Sequence, residues 1–199
     1  MLSTPQTCHD FIQKVLVIGL SKDDAKPLFV HLSANIFELE FPESDSEGLL
    51  AVLEKKRPDI LMLNVNEINN VIESQLKAVQ EHYPLPVILQ YPSESSDNIM
   101  RFLACGVSVL LSGEVNPSRM PSILDTAIAR HQITKEKEQY TQKLEQQLQE
   151  RKIIAKAKGL LMQNNGITEN EAYEFLRKTS MQKNQSMAEL SKKIIDSLS

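Results

Sequence analysis

Five short apolar runs, separated by segments of helical period, constrain this chain more than any other feature. The runs are KVLVIGL (14–20), IFELEF (36–41), DILMLNV (59–65), PVILQY (86–91) and VSVLLS (107–112). The first, third, fourth and fifth are nearly continuous in Val, Ile, Leu and Met, as parallel strands buried on both faces require. The second sets Ile36, Glu38 and Glu40 against Phe37, Leu39 and Phe41, which predicts an edge strand with one wet face. Segments such as Ile68-Val71-Ile72-Leu76-Val79 lie between the runs at helical spacing. Strands alternating with helices imply an α/β fold, a five-stranded parallel sheet with right-handed crossovers. Ser95-Ser96-Asp97 reads as a helix start, Gly106 as a left-handed C-cap, and Asn116-Pro117 as the opening of a further helix.

The character changes after residue 117. No glycine occurs between Gly113 and Gly159, and no proline after Pro121. In this polar stretch Ile133, Tyr140, Leu144 and Leu148 form a stripe too narrow for a domain core and suited to a two-helix seam. A homodimeric coiled coil over 118–150 is the expectation, with a lone solvated helix as the alternative. Two capping boxes follow, Thr168 to Glu171 and Ser186 to Glu189, and Gly166 ends the helix before them. Ile153, Ile154, Ala157, Leu160 and Leu161, then Ala172, Phe175 and Leu176, then Met187, Leu190, Ile194 and Ile195 predict a small three-helix core. Phe175 is expected inside it. The domain reading is an N-terminal extension over 1–13, an α/β domain over 14–117, a coiled-coil helix over 118–150 and a three-helix domain over 151–199.

Charge follows that division. Residues 1–150 sum to −8 and residues 151–199 to +4, so a polyanion-binding end is expected on an acidic body. At 41% hydrophobic and 24% charged residues the chain is of ordinary globular composition, not disordered or fibrous. No apolar run reaches the roughly 18 residues of a membrane span. The opening MLSTPQTCHDFIQK predicts no secretory signal, and two isolated thiols, Cys8 and Cys105, fit a reducing compartment. The expected location is cytoplasmic, with no membrane association.

Working residues of an open α/β sheet sit beyond the carboxyl ends of its strands. Here those positions hold Gly19 and Leu20, Asn64, Tyr91 and Gly113. The pattern over 14–130 resembles the receiver domain of two-component response regulators, which implies a flavodoxin-like fold. The resemblance also implies an acidic Mg²⁺-binding pair at Gly19 and Leu20, a phospho-acceptor Asp at Asn64, a hydroxyl residue at Tyr91 and a lysine at Gly113. All are replaced, so a degenerate, phosphorylation-independent receiver is expected. Asp23 and Asp24 follow at once but read as first-turn charges of the next helix. His9, His31, His82 and His131 have no ligand spacing with another His or Cys, and no Gly-rich phosphate loop is present. No metal site, no cofactor and no enzyme activity are expected.

The last fifty residues carry the more specific signal. AKGLLM (157–162), then Glu171-Ala172-Tyr173, Leu176-Arg177, Ser180-Met181 and Asn184 resemble the ANTAR domain of transcription antiterminators. With a degenerate receiver and a coiled coil ahead of it, the chain is similar to NasT-like and AmiR-like regulators. The resemblance implies binding of hairpin loops in a nascent leader transcript and a ligand-sensing inhibitory protein partner, with control of nitrate and nitrite assimilation genes in the NasT-like case, which is favoured, or of amide use in the AmiR-like case. From the residues themselves, Arg151, Lys152, Lys156, Lys158 and Arg177 can neutralise phosphates, and Asn184 can pair with a base edge. Lys158 and Met162 lie one turn apart on one face. Met162 and Met181 serve equally as RNA surface or core plugs. Gly159 inside a helix invites close approach by RNA or a neighbouring helix, or marks a mild kink. The alternative is a two-component regulator or signalling adaptor acting through DNA or protein.

Overall fold

A computed structural model of the chain describes residues 13–32, 36–42, 48–66, 69–92 and 96–198. Residues 1–12 of the expected extension, with Cys8 and His9, lie outside them, as do Ile68 and Ser95; Gln13 already belongs to the first strand. The chain divides into two compact units, residues 1–134 and 135–199.

The first unit contains β1 (Gln13–Ile18), α1 (Lys22–Ala25), β2 (Phe37–Glu40), α2 (Leu49–Lys56), β3 (Ile60–Asn64), α3 (Asn70–His82), β4 (Val87–Tyr91), α4 (Ser96–Ala104) and β5 (Val109–Ser112). Each strand lies within one of the five apolar runs or overlaps it. They form one parallel sheet in the order β2-β1-β3-β4-β5, with Val15 beside Ile60, Leu61 beside Val87 and Tyr91 beside Ser112. This is the flavodoxin-like, receiver-type order. β2 is an edge, as its alternation predicts. β5 is the other edge, which corrects the reading of its run as buried on both faces: Val109 is buried, Leu110 and Leu111 only half, and Ser112 exposed.

Alternate strand residues feed two cores, since side chains leave a strand on opposite faces. Leu16, Leu61, Leu63, Val87 and Leu89 pack with Leu53, Leu76, Val79 and Phe102 on one side. Val15, Val17, Ile60, Met62 and Ile88 pack with Phe29, Met120, Leu124 and Ala127 on the other. Asn69 caps α3 by accepting from the Ile72 N–H at 3.0 Å. Gly106, at φ +85°, makes the left-handed turn after α4. Asn116 caps a short 3₁₀ turn, Pro117–Arg119, that leads into α5 (Met120–Asn165).

α5 is one unbroken helix of 46 residues, so the segment read as a coiled coil and the first helix of the C-terminal domain are continuous. Every side chain from 132 to 149 is exposed, including Ile133, Tyr140, Leu144 and Leu148 at 46–64%. A solvated helix of that length gains little from packing within one chain. α6 (Glu169–Gln182) and α7 (Met187–Leu198) complete the second unit. Among the described residues no helix is long and apolar enough to cross a membrane.

Candidate nucleic-acid interface

The second unit is small, and its helices are defined by their ends as much as by their core. Gly166, at φ +67°, terminates α5 with its N–H on the Met162 carbonyl at 3.0 Å. At α6 the Thr168 hydroxyl accepts from the Glu171 N–H at 3.4 Å, and the Glu171 carboxylate accepts from the Thr168 N–H at 2.8 Å. Ser186 and Glu189 repeat the exchange at α7, at 3.1 and 2.9 Å. The backbone N–H groups of Thr168 and Ser186 hold the Glu171 and Glu189 carboxyls below the ordinary glutamate range. Between these ends Ala157, Leu161, Ala172, Leu176 and Leu190 are buried, with Ile154, Ile167, Met187, Ile194 and Ile195 packed against them.

Phe175 is 48% exposed, which corrects its expected place in the core. Ala172, Leu176 and Ser180, spaced by four, take the buried stripe of α6, and the small Ser180 closes its last turn. Phe175 is left on the flank. Tyr173 is 40% exposed, Met162 37% and Met181 72%. Met181 therefore lies on the surface and Met162 at its margin. A Cβ added at Gly159 meets nothing within 4 Å, so no neighbouring helix of this chain demands a glycine there.

The basic residues of α5 from Arg151 onward separate into two stripes. At about 3.6 residues per turn Arg151, Lys158 and Met162 share one side, while Lys152 and Lys156 lie roughly a third of a turn away. Lys158 is not free: its ammonium pairs with Glu169 and ties α5 to the start of α6. That bond holds the Glu169 carboxyl below its usual range. Arg177 is exposed and pairs loosely with Glu174, 3.5 Å away on α6. Lys152 and Lys156 line a groove of about 320 Å³ together with Ile153 and three residues of α7, Lys192, Ile195 and Asp196.

Asn184 follows the end of α6 in a left-handed conformation, φ +48°. Its N–H bonds to the Met181 carbonyl at 3.2 Å and the Gln185 N–H to Ser180 at 3.1 Å, a Schellman closure. Asparagine tolerates this backbone better than most residues. Its side chain is exposed and makes no hydrogen bond to the described residues. One residue thus combines a backbone role with an unused amide.

At the carboxyl ends of the strands Gly19, Leu20, Asn64, Tyr91 and Gly113 carry no charge, and Gly19 and Asn64 line a cavity of about 310 Å³. Asn64 Nδ2 donates to the Gly19 carbonyl at 3.2 Å. Gly19 has φ +83°, and a Cβ there would lie 2.1 Å from the Asn64 oxygen, so only glycine fits. Leu20 packs against the core behind it. Tyr91 meets Phe102 ring to ring at 6.5 Å, and the Gly113 carbonyl accepts from Gln90 at 3.4 Å. Asp24 is held by the Ser21 hydroxyl and Asp23 by Lys26, at 2.6 and 3.0 Å. The magnesium ion implied by receiver domains wants carboxylate oxygens, and Gly19, Leu20 and Asn64 offer none, so these residues do not fit it. Among the described residues no group of three His, Cys, Asp or Glu could hold a metal ion.

Residues 142–195 match the ANTAR domain family. The chain is 19% identical over 162 residues to the transcriptional regulatory protein PdtaR of Mycobacterium tuberculosis, covering 81% of this chain and 79% of that protein. It is 44% identical over 52 residues to the nitrate regulatory protein of Klebsiella oxytoca, but these span 26% of this chain and 13% of that protein. A response regulator from Thermotoga maritima superposes with a TM-score of 0.52 at 14% identity, covering 60% of this chain and 99% of that one. A CheY-like receiver domain from Methanospirillum hungatei gives 0.50 at 16%, covering 62% and 99%. The structural likenesses establish a shared fold. The chain thus carries an ANTAR domain over residues 142–195, behind a unit with the receiver-type fold.

Proposed function

We propose that this regulator binds RNA through its ANTAR domain and acts by antitermination. Each ANTAR domain grips a hairpin loop of a nascent leader transcript and holds it against the competing terminator. Two chains pair through the exposed stripe of Ile133, Tyr140, Leu144 and Leu148, so that two loops are held at once. No catalysis is needed, because binding energy alone shifts the RNA folding equilibrium. The observation that carries this reading is the match of residues 142–195 to the ANTAR family. It is supported by Met162, Met181, Tyr173 and Phe175, exposed among basic side chains on one small helical unit. Apolar and aromatic surface beside cations is what unstacked loop bases require.

Nitrate and nitrite assimilation genes are the proposed targets, by likeness to the nitrate regulatory protein over the ANTAR segment. Regulation is proposed to be independent of phosphorylation, because Gly19, Leu20, Asn64, Tyr91 and Gly113 leave neither acceptor nor metal ligands at the sheet edge. Control then falls to a ligand-sensing protein partner. Filter binding of a hairpin RNA, duplex DNA of the same sequence and a scrambled RNA tests the reading. Preference for the hairpin supports it, and preference for duplex DNA assigns the protein to transcription control at the promoter.

A further inference from the structure

The groove between α5 and α7 brings together charges far apart in sequence. Lys152 and Lys156 stand on α5, and Lys192, thirty-six residues beyond Lys156, stands on α7. All three are exposed, and none makes an ion pair within 4 Å. Glu189, one turn before Lys192, feels it only as a minor part of its environment after its bonds to Ser186. This differs from the stripe of Arg151 and Lys158, where Lys158 is already paired with Glu169. Ile153 and Ile195, both half-buried, form the floor on which the lysine stems can lie. Asp196 is the single acid of the lining, leaving three positive groups against one negative.

We infer that Lys192 completes, with Lys152 and Lys156, a track for the RNA phosphate backbone along the α5–α7 groove. The inference rests on the RNA-binding reading and adds to it a second contact surface and a residue of the third helix. Lysines are compact point charges suited to phosphate oxygens, and the groove lining has no aromatic side chain on which a base could stack. The track therefore supplies affinity and salt dependence, while discrimination between loops stays with the other surface. Asp196 tempers it by partly cancelling the field of Lys192 and Lys156.

The test uses the full chain and a fluorescein-labelled hairpin RNA pool with a randomised loop, followed by anisotropy over a series of KCl concentrations. Lys192→Ala should weaken binding about fivefold and reduce the slope of log affinity against log salt by about 0.7–0.9, one phosphate contact. Asp196→Asn should do the opposite, tightening binding at equal salt, and an unfolded variant cannot produce that gain. If both variants bind with wild-type affinity and slope while Arg177→Ala binds more weakly, the groove carries no RNA and the RNA reading stands. If the wild-type chain binds no hairpin, the RNA reading fails and the track with it. Poly-L-glutamate binding as tightly as RNA, with the same dependence on Lys192, would assign the groove to an acidic protein and overturn the proposal.

Discussion

The two units of this chain handle the relation between framework and surface in opposite ways. In the receiver-type unit the framework is a continuous apolar sheet with a core on each face, and Gly19, Asn64 and Gly113 at the strand ends lie outside both. In the ANTAR domain the buried hydrophobic cluster is five residues, and candidate contact residues also hold the unit together. Lys158 ties two helices, and Asn184 closes the end of one. A large core leaves strand-end residues outside the packing, whereas a small one draws candidate contact residues into holding the fold.

The largest effect that can break this comparison is on assembly. Replacing Leu144 and Leu148 together with Glu places like charges in the proposed seam, and sedimentation should change from dimer to monomer. An unchanged dimer mass would put the interface elsewhere. Next comes the core of the smaller unit. Leu176→Ala should destabilise the ANTAR domain by about 2–5 kcal/mol, enough to unfold it while the sheet persists. Hydrogen exchange should then show protection lost in α6 and α7 and kept in β1 and β3. Simultaneous loss in both regions would mean that the two units share one cooperative transition.

Sharper tests separate stability from recognition at single residues. Asn184→Ala confuses the two, since alanine resists the left-handed backbone that Asn184 adopts. Asn184→Gly keeps that backbone and removes only the amide. Its melting temperature should stay near wild type while discrimination between a bound loop and its point variants falls by about 1–3 kcal/mol. Gly159→Ala should give the smallest effect. The new methyl group has open space, so the helix should gain up to about 1 kcal/mol. RNA affinity should nevertheless fall if the backbone of RNA or a base approaches that face. A more stable protein with unchanged affinity removes Gly159 from the interface.

Much of this was legible in the chain. Continuous Val/Ile/Leu runs announce buried parallel strands, and the alternation of β2 announces an edge. The edge position of β5 could not be read locally, because which strand ends the sheet depends on spatial order. The continuity of α5 past residue 150 was obscured by the change from Gln/Glu-rich sequence to Ile153-Ile154, although no glycine or proline interrupts it there. Phe175 misled because its spacing suits a core that Ala172, Leu176 and Ser180 already fill. The Lys158–Glu169 pair joins residues across a turn, which periodicity cannot show. Periodicity cannot single out Lys192 for the same reason: its neighbours Lys152 and Lys156 lie on another helix. The signal available was the i,i+4 spacing of Lys192 and Asp196 beside the apolar Ile195.

The central claim is that the ANTAR domain reads RNA while the receiver-type unit has kept its fold without phosphoryl chemistry. Hairpin RNA and duplex DNA affinities of the full chain, measured before and after incubation with acetyl phosphate and Mg²⁺, test both halves together. The account predicts tighter binding to the hairpin than to the duplex, an intact mass with no added phosphate, and the same RNA affinity after treatment. A stoichiometric acid-labile phosphate adduct that changes the affinity, or a preference for duplex DNA, would contradict it.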